Sequence, residues 1–558
     1  MKVLFTAINA KFSHTNIAVR YFDKICRLNS HIDSEFVEYT INNPKDIILQ
    51  ELVEKAPDII AFSCYLWNIG IICDISKCLK KVAPDIKIIF GGPEVSFYDN
   101  IDNLPCDYLI KGEGENIITE VLENIEKGCQ KENIIKSTTP FDINRLPFPY
   151  ENELQNLKNR TLYYEASRGC PFRCSYCLSG SEHGIRFKNV ELIKKELQIF
   201  IDAKVRQVKF VDRTFNCNKK ICKEIWSFIR DCKEDINFHF EISADLIDEE
   251  MMDIILSMPK GRIQLEVGVQ STNPMTIKAI NRVTDLDKLF EKVDKINAKG
   301  NVHLHLDLIA GLPYEDFNSF GNSFNDVYAH NPQQLQLGML KLLKGSTLYS
   351  QYKDFGMEFR HYPPYEILST HVLPYNDLIK LKKVEEVTEL FYNSGRFENT
   401  LNLLAEKYKT PFDFYFALGE FYFEKSYHLI PLSKEGHYNF LKLFHEKYFG
   451  EINSVFIESI RYDMIRYERP KKIPEWAVSQ NPISRNQILE FLRNEENVEK
   501  YLPTYVGTNP KDICGNVHIE SFSYNVIDNP HEEKNIILLF DYKNKSILGR
   551  AKAVKINI

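Results

Sequence analysis

The segment Arg168-Gly169-Cys170-Pro171-Phe172-Arg173-Cys174-Ser175-Tyr176-Cys177 places three cysteines at CxxxCxxC spacing. Gaps this short let several sulfurs on one loop reach a single cluster. Three thiolates ligate three irons of a [4Fe–4S] cubane and leave the fourth iron open to a non-protein ligand. Two plainer readings stand beside this one: free thiols in a loop, and a partial zinc site. Zinc usually takes a further Cys or His at short spacing, and the nearest His is His183.

The chain around this loop has 558 residues, which predicts three or four domains at roughly 150 residues each. Its 70 basic and 77 acidic residues give a net charge of −7, so no basic footprint for a nucleic-acid partner is expected. The start, Met1-Lys2-Val3-Leu4-Phe5, runs into a strand-like segment with no signal-peptide pattern. No apolar run reaches the ~18 residues of a membrane span. Thirteen cysteines without an export signal are expected as reduced thiols in the cytoplasm.

Residues 1–135 alternate short apolar and amphipathic runs. Val3–Ile8, Phe36–Tyr39, Ile59–Ser63, Ile86–Phe90 and Tyr108–Ile110 are expected strands. Ala18–Leu28, Ile47–Lys55, Ile69–Val82 and Glu115–Lys127 are expected helices. This order predicts an α/β domain with a doubly wound parallel sheet, whose ligand lies beyond the carboxyl ends of the strands. The candidate residues there are Asn9, Ala10, Lys11 and His14, then Ser63 and Tyr65, then Gly91, Gly92 and Glu94, and last Gly112, Glu113, Gly114 and Glu115. Glycine permits close backbone approach to a ligand, although it also serves ordinary turns. No Gly-x-Gly-x-x-Gly follows the first strand, which argues against a dinucleotide. Residues 136–160, with Pro140, Pro147 and Pro149, read as a linker.

Residues 161–350 alternate again, with strands expected at Tyr163–Ser167, Gln207–Val211, Phe238–Ile242, Ile263–Val267, His303–Ile309 and Leu335–Leu340. Six such units predict a partial (βα)6 barrel with its site at the carboxyl ends of the strands. His303, His305 and Asp307 share one face of a strand by period two. Parallel strands usually read as continuous apolar runs. His305 and Asp307 are therefore candidates to line a substrate cavity, with a structural histidine as the alternative. Lys341 and Lys344 could meet an anion or be solvated. Cys217 could approach the cysteine loop, whereas Cys222 and Cys232 read as helix thiols.

Residues 351–558 change to amphipathic helices at Asp377–Ser394, Phe397–Lys409, Phe412–Glu424 and Gly436–Tyr448. A linker-like stretch near Pro470–Asn486 and a small β meander follow. Dense aromatics such as Phe412, Phe414, Tyr415 and Phe416 read as helix core.

The CxxxCxxC loop with Tyr176 before its third cysteine resembles the radical S-adenosylmethionine (SAM) enzymes. The Gly91-Gly92-Pro93-Glu94 and Gly112-Glu113-Gly114-Glu115 pair resembles the cobalamin-binding domain that precedes the barrel in the class B subclass. The last third resembles an uncharacterised extension of such proteins. The resemblance implies a [4Fe–4S] cluster on Cys170, Cys174 and Cys177, with SAM chelated at the open iron. It implies Asp212 near the SAM amino group, Ser243 where relatives often carry an arginine or serine for SAM, Glu266 and Gln270 in a ribose motif, and Leu312 against adenine. The Asp-x-His-x-x-Gly signature that supplies a histidine to cobalt is absent, leaving His14 as the one histidine near a strand end in that domain. The implied chemistry is reductive SAM cleavage to a 5′-deoxyadenosyl radical, hydrogen abstraction from an unactivated C–H bond, and methyl transfer from cobalamin. The electron would come from a low-potential donor such as flavodoxin or ferredoxin. A radical rearrangement or cyclisation without methyl transfer, and a methylthiotransferase acting on RNA or protein, are the alternatives. The substrate is not indicated.

Overall fold

The structure, a computed structural model, describes residues 1–29, 32–181 and 184–558. His183 lies outside the described residues.

The first sheet holds β1 (Lys2–Asn9), β2 (Asp33–Thr40), β3 (Ile59–Ser63), β4 (Lys87–Gly91), β5 (Tyr108–Lys111) and β6 (Ile134–Lys136). Its order is β2-β1-β3-β4-β5-β6, and every pairing is parallel. Both faces are covered, which is why β1 reads as a continuous apolar run. Val3, Phe5 and Ala7 pack on the side that carries helices Ile17–Asn29 and Ile118–Glu126. Leu4 and Ile8 pack with helices Lys45–Glu54 and Ile69–Val82. The strand order reverses between β1 and β3, so the switch-point crevice opens beside Asn9 and Ser63. β6 falls partly in the stretch expected to be a linker. Three residues carry too little periodicity to announce a strand, and only pairing with β5 defines it.

The second sheet holds β7 (Thr161–Tyr164), β8 (Gln207–Phe210), β9 (Asn237–Ile242), β10 (Ile263–Gln270), β11 (His303–Ala310) and β12 (Gln334–Met339). These strands pair in sequence order, all parallel, as a partial barrel does. On one face Leu162, Val208, Phe238, Phe240, Leu265, Leu304, Leu306 and Leu335 are wholly buried under the helical layer. The other face carries Tyr163, Lys209, His239, Glu241, Glu266, His303, His305 and Asp307. The period-two alternation is the same in both registers, so one wall is apolar and the other polar.

The C-terminal region is mainly helical, with helices Tyr375–Val387, Glu398–Ala405, Pro411–Glu424, Lys434–Phe449 and Ser454–Tyr467. Beyond the sequence expectation, Arg485–Arg493, Glu495–Tyr501 and Pro510–Asn516 are also helical. An antiparallel meander of β13 (Val517–Asn525), β14 (Asn529–Lys545) and β15 (Ala551–Ile556) ends the chain. The aromatic helix Pro411–Glu424 turns its rings inward: Phe412 meets Phe317 and Phe324 of the barrel helix Phe317–Tyr328 at 5.2 and 5.7 Å between centroids. One continuous apolar core therefore joins barrel and helices. No helix among the described residues is long and apolar enough to cross a membrane.

Candidate functional site

The cysteine loop leaves β7 through a two-residue hairpin, Ser167–Arg168 against Arg186–Phe187. Gly169 sits at φ +101°, and a Cβ there would lie 2.2 Å from the Gly184 carbonyl oxygen, so only glycine fits. The loop is clamped by backbone bonds: Ser175 N donates to Ile280 O at 2.8 Å, and Leu348 N donates to Ser175 O at 2.7 Å. Cys177 N donates to Cys174 O at 3.1 Å, closing a turn that brings two thiols together. Cys170, Cys174 and Cys177 are free and partly exposed. The Cys170 sulfur is 3.5 Å from Thr214 Oγ1. Arg282, which sequence reasoning missed, places Nη1 3.9 Å from Cys174 Sγ and 3.3 Å from the Tyr176 hydroxyl, while Nη2 donates to Gly268 O. Burial pushes the Cys174 thiol up, and the Arg282 charge opposes it.

Around this loop stand the strand ends. Asp212 follows β8 and is 2% exposed. Its oxygens accept from Ala166 N at 3.0 Å and from the Ser167 hydroxyl, so they tether the turn into the cysteine loop. Burial raises its carboxyl to about 7. Ser243, after β9, donates to Asp245 at 2.6 Å, and its backbone exchanges bonds with the Asn216 amide at 2.7 and 3.0 Å. Gln270 ends β10 at φ +73° with a buried Oε1 that has no partner. A Cβ at Gly268 would fall 2.3 Å from Gln270 Nε2, so the missing side chain makes room for that amide. Leu312 is wholly buried in the core.

Glu266 sits four residues short of the β10 end, about 13 Å deeper at ~3.3 Å per residue. It belongs to a middle layer, below the strand ends. His239 Nε2 lies 2.8 Å and Lys209 Nζ 3.1 Å from its Oε2. Burial alone would push this carboxyl up, but the His239 hydrogen bond and the Lys209 charge carry it down to about 2. Its register partner is His305, whose Nε2 is 3.0 Å from Asp307 Oδ1. That contact is an ion-pair distance without hydrogen-bond geometry, and neither atom has another partner. Burial lowers His303 to about 4, and burial raises Glu241 to about 7. The structure thus gathers His303, His305, Asp307 and Glu266 with Lys209, His239 and Glu241, three residues the sequence did not single out. Lys209 and His239 carried a signal, since both break the apolar run expected of a buried parallel strand.

The first-domain candidates divide into two groups. Asn9 bonds His14 O at 3.2 Å and Glu38 at 3.3 Å, and Lys11 O accepts from His14 N at 3.1 Å in the turn that also holds Ala10. His14 Nδ1 shares a 3.0 Å hydrogen bond with the Tyr163 hydroxyl, and Thr161 N donates to Ser13 O at 2.8 Å, so this loop docks on β7. Glu115 pairs with Arg168 at 2.9 Å, and Glu113 pairs with Arg186 and accepts from Phe141 N at 2.7 Å. Those two carboxylates bind the hairpin of the cysteine loop. Gly112 at φ +79° and Gly114 beneath the Phe22 ring shape that turn.

In the second group, Tyr65 and Glu94 line a crevice between the domains together with Leu66, Pro93, Leu178, Leu343, Lys344 and Tyr365. Tyr65 stacks on Trp67 at 4.3 Å, and Trp67 is 41% exposed. Ser63 O accepts from Asn68 Nδ2, at 2.9 Å, beneath them. Gly92 has φ +110°, and a Cβ there would meet Cys64 O at 2.6 Å; at Gly91 nothing lies closer than 3.8 Å. Glu94 accepts from the Tyr365 and Tyr98 hydroxyls, and burial raises its carboxyl. Lys344 lies over the Tyr98 ring at 4.3 Å.

Residues 3–122 match the B12 binding domain family, residues 164–327 the radical SAM superfamily, and residues 353–540 a family described as a protein of unknown function, DUF4080. The chain carries a B12 binding domain followed by a radical SAM domain. It is similar to the 2-(S-pantetheinyl)-carbapenam-3-carboxylate methyltransferase of Streptantibioticus cattleyicolor, 25% identical over 355 residues that are 55% of this chain and 50% of that protein. It is also similar to the cobalamin-dependent radical SAM methyltransferase TokK of Streptomyces tokunonensis, 24% identical over 52% of this chain and 48% of TokK. The chain spans about half the length of these curated relatives. In fold it resembles the cobalamin-dependent SAM radical enzyme OxsB, with TM-score 0.57, 15% identity and coverage of 92% of this chain and 82% of that one. It also resembles the methyltransferase TsrM from Kitasatospora setae, with TM-score 0.54, 13% identity and coverage of 65% and 78%.

Proposed function

We propose that this chain is a cobalamin-dependent radical SAM enzyme that transfers a methyl group to an unactivated carbon. The observation that carries the reading is the placement of three free thiols on one clamped loop after the first barrel strand, with Leu178, next to Cys177, lining a crevice shared with Tyr65, Pro93 and Glu94 of the B12-type domain. The donor sets suit the groups this requires. Cys170, Cys174 and Cys177 supply three soft sulfurs on one loop, which suits a cubane with one open iron. The unpartnered Gln270 Oε1 awaits a donor such as a ribose hydroxyl, and the Arg282 guanidinium beside Cys174 suits a carboxylate held at the open iron. Tyr65, stacked on Trp67, and Gly91, where nothing lies closer than 3.8 Å, offer an aromatic and bare-backbone wall to a large planar ring. When bound, the cluster with SAM would supply a hydrogen-abstracting carbon radical, and cobalamin the methyl group.

The chain's own residues position and shield. Asp212 fixes the approach to the cysteine loop through Ala166 and Ser167. Arg168 ties that loop to the B12-type domain through Glu113 and Glu115. The polar inner wall of the barrel gives a substrate hydrogen-bonding partners in His305 and Asp307. An external low-potential donor would deliver the electron.

Anaerobic reconstitution tests this directly. The wild-type chain should take up about four irons and cleave SAM, and replacing Cys170, Cys174 and Cys177 with Ala should abolish both. Hydroxocobalamin should bind, and a chain with no affinity for it would remove the cobalamin role. Formation of S-adenosylhomocysteine together with 5′-deoxyadenosine marks methyl transfer. Formation of 5′-deoxyadenosine alone would point to a rearrangement instead.

A further inference from the structure

We infer that the middle layer of the barrel is a binding site for a divalent metal ion, ligated by Glu266, His305 and Asp307, distinct from the cysteine loop. One donor atom from each of these residues lies within 4.8 Å of the others. Ligands on one ion at bonds of ~2.1 Å stand about 3–4 Å apart, so side-chain rotation would have to shorten this span for all three to bind. His305 is 8% exposed, and its Nε2 and Asp307 Oδ1 are both buried without a hydrogen-bond partner. They face each other at 3.0 Å without hydrogen-bond geometry, and buried polar atoms left in that state are costly unless a further group, such as a metal ion, satisfies them.

The strand register builds the site. His305 and Asp307 are two apart on β11 and so point the same way. Glu266 stands opposite His305 on β10, and Gly268 stands opposite Asp307, leaving that position free of a side chain. Lys209 and His239 both hold Oε2 of Glu266 and so orient the carboxylate, with Oε1 left for a metal. Hydrogen-bonded outer partners are what ligating carboxylates normally carry. The facing groups are Lys209, His239, Glu241 and His303. Lys209 answers part of the charge on Glu266, and Arg213 lies 3.9 Å from Glu241. Among the described residues, Asp307 has only His305 as a counter-group at contact distance. One imidazole with two carboxylates suits manganese(II), iron(II) or zinc(II). Such an ion would present open positions toward the barrel mouth, where a substrate bearing a carboxylate, hydroxyl or amine could coordinate.

The test uses the full-length chain, stripped with a chelator and titrated anaerobically with manganese(II), the free ion being followed by its EPR signal. It is run with and without cluster reconstitution, so failure to form a cluster leaves the outcome readable. One manganese(II) per chain should bind saturably. Asp307→Asn and Glu266→Gln, both close in shape, should each weaken binding about tenfold or more. Circular dichroism and hydroxocobalamin binding serve as folding controls, and Glu315→Gln, at a buried carboxyl away from the cluster that bonds Ser271 and Ser323, is a second control expected to bind as wild type. Absence of saturable binding, or unchanged affinity in either ligand variant, overturns the assignment.

Discussion

Replacing Arg168 with Gln tests how firmly the cysteine loop is held to the first domain. The guanidinium is 15% exposed and meets Glu165 at 2.8 Å, Glu115 at 2.9 Å and Glu113 at 3.4 Å. Glutamine removes the charge and leaves three carboxylates close together, of which, among the described residues, only Glu113 keeps a second cation, Arg186. Breaking a largely buried ion pair from one side costs about 3–5 kcal/mol, because the surviving charges stay desolvated. For a cooperative unit of 150–250 residues, each kcal/mol moves the midpoint by about 2–4 °C, so the first melting transition should fall by about 6–20 °C. Differential scanning calorimetry reads it. A double-mutant cycle with Glu115→Gln should show a coupling of about 0.5–3 kcal/mol, since the two groups are in contact. A midpoint within about 1 °C of wild type, or strictly additive effects, would refute the claim that this cluster locks the loop to the domain.

Stability should depend on pH through Asp212. Its folded carboxyl titrates near 7 against an ordinary value of 3.8 because it is buried. The folded state therefore holds the proton more tightly than the unfolded state. That stability is fully present below 3.8 and is lost as pH rises through 7, amounting to about 4 kcal/mol. Asp212→Asn should flatten this part of the curve, and chemical denaturation at pH 5 and pH 8 compares the two proteins. Gly92→Ala should destabilise by about 1–3 kcal/mol, since φ +110° and the Cys64 carbonyl at 2.6 Å both oppose a Cβ; a thermal melt unchanged from wild type counts against that geometry. The loss of iron and of SAM cleavage on replacing the three loop cysteines, and manganese(II) binding through Asp307, complete the set.

Residues whose role is local were legible from order alone. The spacing of Cys170, Cys174 and Cys177 marks a loop of sulfurs wherever that loop sits. Alternating apolar and amphipathic runs marked Ile59–Ser63 and Ile69–Val82 with the bounds observed. Period two placed His303, His305 and Asp307 on one face before any neighbour was known. Less legible were the short strand Ile134–Lys136 and the helices beyond Arg485, whose patterns are brief and whose existence rests on partners far along the chain.

The sequence by itself determined the chemistry the chain can present: three soft ligands on one turn, glycines where the backbone must bend, and polar residues in strands that should be apolar. Tertiary structure alone decided which groups face which. Glu113 and Glu115, read as ligand-loop residues, meet Arg186 and Arg168. Arg282, more than 100 residues from Cys174, stands beside its sulfur. Glu266 joins His305 because β10 and β11 lie side by side. Charge pairing and desolvation act over a few ångströms of space, whereas sequence patterns report only a residue's near neighbours along the chain, so contacts between distant segments become visible only when the sheets have closed.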